Sequence, residues 1–161
     1  MREKDFEQLY AEHAQALFAF LSYRTGNRAL AEDLLSDTFE RALRGRRRFD
    51  PRKAQEKTWL YAIALNCLRD HARRQGTEVR ALVRMASGGR GQWKGGIDEI
   101  ADRDLINRGL AYLSDAEREA IALRFGAELT VPEIAKLTGE PLTTMEGRVY
   151  RALRKLRFEL E

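Results

Sequence analysis

The amino-acid sequence predicts an all-α protein in which two small helical bundles are joined by a flexible linker. Apolar residues recur at helical spacing through most of the 161 residues, and no alternating stretch is long enough to predict a strand. Five glycines fall within positions 87–96, a composition that disfavours an ordered core. These observations divide the chain into a first bundle at 1–75, a linker at 76–100 and a second bundle at 101–161.

In the first bundle the pattern predicts three helices. The first spans about 5–23 and stops at Gly26, because glycine readily ends a helix. The second starts after Asn27, a favourable N-cap residue, and continues to Gly45. The third spans about 56–74, so that three amphipathic helices share one apolar core. The residues of the second helix expected to face that core are Ala31, Leu34, Leu35, Thr38, Ala42 and Leu43.

In the second bundle, after a helix at about 97–113, polar residues predict three further helix starts. Ser and Thr are each followed three residues later by Glu, which is the capping-box pattern. The pairs are Ser114 and Glu117, Thr130 and Glu133, and Thr143 and Glu146. The first opens a helix through Phe125, the second a short helix that stops at Gly139, and the third a longer, arginine-rich helix. A short helix, a turn containing glycine and a second cationic helix form the helix-turn-helix pattern.

The last helix is the candidate for reading duplex DNA, because the second helix of this motif enters the major groove. An inner stripe is predicted from Met145, Val149, Ala152, Leu153 and Leu156. The candidate contacts are Thr143, Thr144, Glu146, Gly147, Arg148, Arg151 and Lys155. Arginine can bond two guanine acceptors at once, whereas lysine and hydroxyl groups more often hold phosphates. The alternative interpretation is an amphipathic helix with a solvated charged face.

Charge is distributed unevenly, although the net charge is only +4, from 29 Lys and Arg against 25 Asp and Glu. Seven basic residues fall within positions 41–53, and more cluster near 69–74 and 148–157. An acidic stretch before the first basic cluster consists of Glu32, Asp33, Asp37 and Glu40. This pattern is compatible with nucleic acid and indicates different partners for different faces.

Composition also argues against several classes of protein. The single cysteine, Cys67, excludes an internal disulfide and a thiolate zinc cluster, and its apolar neighbours predict a core position. No run approaches the ~20 apolar residues of a membrane span, and the amino terminus lacks the apolar segment of a signal peptide. We therefore expect a cytoplasmic protein with no membrane partner.

Six stretches of the sequence resemble the extracytoplasmic-function sigma factors, the compact branch of the sigma-70 family of bacterial RNA polymerase. In the second bundle they are LSDAEREA at 113–120, EIAKLTG at 133–139, PLTTMEGR at 141–148 and YRALRKL at 150–156. In the first bundle they are AEDLLSDTF at 31–39 and WLYAIALN at 59–66. They occur in the family's order and spacing, and the resemblance extends over both bundles, on either side of the linker.

The resemblance implies a sigma factor that binds core RNA polymerase and promoter DNA, with no cofactor, metal or catalytic residue. The residues implied to bind the polymerase clamp are Asp33, Leu34, Ser36, Asp37 and Phe39. Those implied to capture single-stranded minus-10 DNA are Arg47, Arg48, Lys53, Lys57, Asn66, Arg69 and Arg73, since they supply cations and polar groups. The helix-turn-helix would read the minus-35 duplex, and an anti-sigma factor is a possible further partner.

The chain departs from the family pattern at three places. Glu146 stands where family members usually carry a basic residue, and Ser36 stands where glutamine is frequent. Glu146 either closes a capping box with Thr143 or accepts a hydrogen bond from a cytosine amino group. The linker is rich in glycine and arginine where family linkers are often acidic, and Trp93 within it is either incidental or docks on a partner.

Two other classes of function are weighed against this one. A helix-turn-helix regulator that recruits polymerase without being its sigma subunit would explain 101–161, but it predicts strands in the amino-terminal half. An enzyme is disfavoured because the sequence shows no phosphate-binding glycine loop after a strand, no paired histidine ligands and no nucleophile with a local base.

Overall fold

The computed structural model of the chain describes residues 3–83 and 108–160. All regular elements in these two ranges are helical, which confirms the predicted all-α class. The first bundle consists of α1 (Glu3–Thr25), α2 (Arg28–Gly45), a short 3₁₀ turn (Arg46–Arg48) and α3 (Glu56–Val83). The second consists of a helical turn at 108–111, α4 (Asp115–Ile121) with a π-helical turn (Ala122–Gly126), α5 (Val131–Thr138) and α6 (Leu142–Leu160).

The boundary between α1 and α2 follows the predicted signals. Gly26 has a φ of 64°, a left-handed conformation that glycine adopts without steric cost. Its N–H donates to the Ser22 carbonyl at 2.8 Å. The side chain of Asn27 then accepts from the Leu30 N–H at 3.1 Å, which satisfies one of the donors left open at the start of α2.

The third helix is longer than predicted. It continues to Val83 instead of ending near residue 74, so the first part of the predicted linker, 76–83, is helical. Gly76 does not stop the helix, because one interior glycine costs only about 1 kcal/mol relative to alanine. The rest of that linker, Trp93 and the start of the helix predicted at 97–113 lie outside the described residues.

The core of the first bundle lies between α1, α2 and α3. Phe20 and Tyr61 are fully buried, and their ring centroids are 5.5 Å apart. The inner face of α2 is narrower than predicted, since Leu35 is only half-buried and Leu43 is 39% exposed. Phe39, for which the family resemblance implied a polymerase contact, is buried in the core.

In the second bundle two of the three predicted capping boxes are present. Ser114 with Glu117 caps α4, and Thr130 with Glu133 caps α5. The third prediction, Thr143 with Glu146, is wrong, because α6 begins one residue earlier and Thr143 lies inside its first turn. The Met145 N–H donates to the Pro141 carbonyl at 3.0 Å, so that Pro141 occupies the cap position. Gly139 ends α5 in a left-handed conformation with a φ of 74°, which leaves a very short turn before α6.

The two bundles pack against each other in the described structure. The π-helical turn lies on α1, and a Cβ atom added to Gly126 would be 3.5 Å from the Phe20 Cα. The Arg24 Nε atom lies 3.3 Å from the Glu119 Oε1 atom across the same boundary. Within 3–83 and 108–160, no helix combines the length and apolar character that a membrane crossing requires.

Candidate nucleic-acid interface

The candidate recognition helix, α6, separates an apolar face from a polar face. Met145, Val149 and Ala152 are buried against the rest of the bundle, and Leu156 is half-buried. Leu153 was predicted on this inner stripe, but it is 40% exposed. The buried stripe is thus narrower than predicted, and most of the helix circumference remains accessible.

The residues predicted to contact duplex DNA lie mainly at the amino-terminal half of α6. Thr143, Thr144, Glu146 and Arg151 are exposed, whereas Gly147 and Arg148 are half-buried. The Arg148 Nη2 atom is 3.6 Å from the Glu140 Oε1 atom, which ties this arginine to the turn before the helix. An exposed amino-terminal end with hydroxyl groups and two arginines is suited to hydrogen bonding with phosphates and base edges.

Lys155, like Arg148, has a partner within the bundle. Its Nζ atom lies 2.8 Å from Oε1 of Glu117, the residue that closes the capping box of α4. Burial raises the pKa of Glu117, but hydrogen bonds from Lys155 and Ser114 outweigh it and hold this pKa below its ordinary value. Lys155 therefore fixes α6 against α4. No local pattern indicates this contact, because the two residues are 38 positions apart.

Arg118 is a structural residue that the sequence analysis did not single out. Its side chain is 9% exposed and donates to the carbonyls of Leu110 and Leu113, each at 3.0 Å. Its Nη1 atom also donates to Asp115 at 3.1 Å. Arg118 thereby joins the helical turn at 108–111 to α4 and satisfies carbonyls at the end of that turn.

The residues predicted to capture minus-10 DNA form two exposed groups. Arg47, Arg48 and Lys53 are exposed in the segment between α2 and α3. Asn66, Arg69 and Arg73 are exposed on α3 at positions i, i+3 and i+7, a spacing that places them on one side of the helix. Lys57 is half-buried.

Trp59 lies beside this surface, but its position favours packing. The ring is half-buried against the core. Its centroid is 4.9 Å from that of Phe49, which precedes α3 in the connecting segment. The ring pair thus links the cationic segment to α3.

Asp70 organises the cations on α3. It accepts from Arg41 of α2 at 2.8 Å and also pairs with Arg73. The hydrogen bond from Arg41 and, to a lesser degree, that from Arg73 lower the pKa of Asp70 below its ordinary value. This carboxylate therefore joins α2 to α3 and holds one predicted DNA contact in place.

One end of the cationic segment lies close to the second bundle. A groove is lined by Lys53 and other residues of 51–58 on one side and by Glu133 and Lys136 of α5 on the other. Hydrogen bonds from Thr130 lower the pKa of Glu133, and the positive charge of Lys57 lowers it further. Lys57, a predicted DNA contact, therefore acts electrostatically on a carboxylate of the opposite bundle.

The predicted polymerase-binding residues of α2 divide into an exposed group and a buried group. Asp33, Ser36 and Asp37 are exposed. Leu34 and Phe39 are only 2% and 6% exposed, so in this structure they face the core. For Leu34 this agrees with its predicted place on the inner side of α2, and a role of either residue in polymerase binding stays a prediction. The Phe39 ring packs against α1, where its centroid is 4.7 Å from that of Tyr10.

One cluster has the side chains of a metal site. The ligand atoms of Glu12, His13 and Glu56 lie within 4.8 Å of one another, with both glutamates exposed. Exposed acidic groups often meet without binding an ion, and this cluster lies outside the predicted DNA and polymerase contacts. We assign it no role.

Each of the two bundles matches a known protein family. Residues 9–78 match the family described as Sigma-70 region 2, and residues 103–156 match Sigma-70, region 4. The first match covers the half in which a helix-turn-helix regulator was expected to carry strands, so that alternative is not favoured.

Individual relatives agree with the two family matches. The RNA polymerase sigma factor CarQ of Myxococcus xanthus is 33% identical, over 94% of this chain and 87% of CarQ. The ECF RNA polymerase sigma factor BldN of Streptomyces coelicolor is 28% identical, and the chain spans only 58% of its length. The sigma factor RpoE of Bartonella quintana, solved in complex with the anti-sigma factor NepR, has a TM-score of 0.80 and 27% identity. That similarity covers 98% of this chain and 97% of RpoE.

Proposed function

This chain belongs to the extracytoplasmic-function group of the sigma-70 family, whose members direct transcription initiation by RNA polymerase, and we propose that its two bundles read separate promoter elements. The second bundle binds the minus-35 duplex, while the first binds core polymerase and captures minus-10 DNA. The protein acts in the cytoplasm and catalyses no reaction of its own.

The observation that best supports the minus-35 assignment is the geometry of α5, the turn and α6. Gly139 and Pro141 set a tight turn, and the apolar face of α6 packs inward. The amino-terminal half of α6 therefore projects Thr143, Thr144 and Arg151 outward. A recognition helix contacts base edges with its amino-terminal residues, which is the end that carries these groups.

The minus-10 assignment is supported by the cationic surface of the first bundle. Arginine and lysine side chains of the 46–53 segment can follow a phosphate backbone, and Asn66 on α3 offers an amide for an extruded base. The exposed side of α2 carries Asp33 and Asp37, which repel DNA and suit a basic protein surface. We assign this acidic face to core polymerase.

An anti-sigma factor is a further partner that we propose by analogy with the Bartonella quintana protein. The high TM-score extends over almost the whole chain, so the placement of the two bundles resembles that of a sigma factor held by its inhibitor. The arrangement described here is therefore compatible with the inhibited state of such a complex.

Run-off transcription with sigma-free core polymerase and a promoter library tests this function directly. We expect start-site-specific RNA only when the protein is added, and a steep loss of DNA binding with salt because the contacts are cationic. The selected templates would also report the promoter sequence. Failure to produce specific RNA from any template would refute the proposal.

Alanine variants of the two arginines test the recognition helix within that assay. We expect Arg148→Ala and Arg151→Ala each to weaken minus-35 binding by about 1–3 kcal/mol, since each loses a charged contact to base or phosphate. Core binding should persist, because both residues lie on the opposite bundle from the acidic face of α2. Unchanged promoter affinity in both variants would remove the assignment of α6.

A further inference from the structure

Gly147 occupies an unfavourable position for a glycine. It lies inside α6, where glycine costs about 1 kcal/mol of stability relative to alanine. Among the described glycines, only Gly26 and Gly139 have a positive φ, so the conformation of Gly147 does not require the absence of a side chain. The feature that a side chain at position 147 would disturb is instead a contact with Arg151.

The space beside the Gly147 Cα is taken by the guanidinium group of Arg151. A Cβ atom placed on Gly147 would lie 2.9 Å from Nη1, 3.7 Å from Cζ and 3.8 Å from Nη2 of Arg151. Residues four apart lie on the same side of a helix, and long side chains point back toward its amino terminus. The arginine thus folds back by one turn across the bare backbone of Gly147.

We propose that Gly147 is a positioning residue that sets where Arg151 meets the minus-35 DNA; this inference rests on the function proposed above. The missing side chain lets the Arg151 guanidinium lie close to the helix axis near the amino-terminal turn. That turn is the part of a recognition helix that approaches base edges. A methyl group at position 147 would push the guanidinium aside, because the end of a long arginine moves more easily than the helix backbone.

Arg148 provides an internal comparison. It is held by Glu140 at 3.6 Å, and none of its atoms is among the three nearest neighbours of a Cβ atom placed on Gly147. A methyl group there should therefore alter the reading of DNA by Arg151 and leave that of Arg148 in place. The change in base preference should be confined to the positions that Arg151 reads.

The test is Gly147→Ala in the full chain, assembled with core polymerase and assayed on the templates selected by the promoter library. We expect the melting temperature to stay or rise, because alanine favours a helix. We expect minus-35 affinity to fall about 5- to 10-fold, within the range for one bidentate arginine contact. The double variant Gly147→Ala/Arg151→Ala should bind no more weakly than Arg151→Ala, because both changes remove the same contact.

Gly76→Ala is the matched control, since a Cβ atom at Gly76 of α3 meets nothing within 4 Å. It should gain helix stability in the same way and keep wild-type minus-35 affinity. The inference is overturned if Gly147→Ala binds as tightly as wild type, or if its loss adds to that of Arg151→Ala. Either result requires an active wild-type protein, whereas failure of the proposed function would appear as inactive wild type.

Discussion

The carboxylate of Glu117 connects the start of α4 to α6. Its Oε1 atom accepts from the Ser114 N–H at 3.0 Å and from Lys155 at 2.8 Å. It therefore completes the cap of α4 and holds the distant end of α6. The contact gives Lys155, whose side chain is half-exposed, a supporting role for the recognition helix in addition to its predicted contact with DNA.

This contact predicts a pH-dependent stability. Because the folded pKa of Glu117 is lowered, its stabilising contribution is complete above the unfolded value of about 4.3 and is lost as the pH falls through the folded value. Thermal melts between about pH 2.5 and pH 7 should show this loss in the wild type and less of it in Glu117→Gln.

Replacing Lys155 tests whether its contact with Glu117 stabilises the second bundle. Lys155→Met should lower the free energy of unfolding of the second bundle by about 1 kcal/mol, since a part-exposed pair is partly screened by solvent. Lys136→Met, on the exposed side of α5, removes the same charge and should leave stability unchanged. Equal melting curves for wild type and Lys155→Met would contradict the supporting role.

Helix α2 has one side that packs in the core and an opposite, acidic side that is available to a partner. Its apolar side, with Leu34 and Phe39, is buried in the core, and its acidic side is exposed. The helical period places these two sides apart, so that charge changes on one need not disturb packing on the other. Polymerase binding can therefore be altered without unfolding the bundle.

We expect Asp33→Lys/Asp37→Lys to lower the affinity for core polymerase by roughly tenfold, because opposite charges across an interface become like charges. Circular dichroism should remain that of wild type, since both side chains are exposed. Glu12→Lys/Glu56→Lys makes the same change in net charge away from α2 and is the matched control. Intact assembly of the α2 variant in a pull-down would argue against this interface.

The relation between the two bundles is a property of the whole molecule. Gly126 lies close to the α1 backbone, and Arg24 and Glu119, each 22% exposed at the side chain, form an ion pair across the boundary. Hydrogen bonds from Thr130 lower the pKa of Glu133, and the positive charge of Lys57 across the boundary adds a smaller lowering. Charges placed on both sides of the boundary thus favour the packed arrangement.

Charge reversal should shift this arrangement in solution. Glu119→Arg replaces an attraction with a repulsion, and we expect it to shift the equilibrium toward separated bundles by about 1 kcal/mol, or roughly fivefold. The radius of gyration from small-angle X-ray scattering should increase. Arg24→Glu/Glu119→Arg restores opposite charges and should recover part of the packed state. An unchanged radius in the single variant would show that the ion pair does not hold the bundles together.

Local sequence signals predicted several helix starts, the helical class and the family of this protein. Asn27, Ser114 and Thr130 each bond to a backbone N–H three residues away, so their roles can be inferred from a few neighbouring residues. Helical class follows from apolar periodicity in the same way, and the family follows from motifs in a particular order. These features depend on residues that are neighbours in the chain.

The tertiary structure decided the features that depend on packing between distant residues. The Phe39 ring packs against Tyr10 of another helix, the partner of Lys155 also lies on another helix, and the charge of Lys57 acts on a carboxylate of the other bundle. Helical periodicity places a residue on a side of its helix but does not say which neighbour covers that side. Only the assembled fold therefore distinguishes the side chains that remain exposed to a partner from those that hold the protein together.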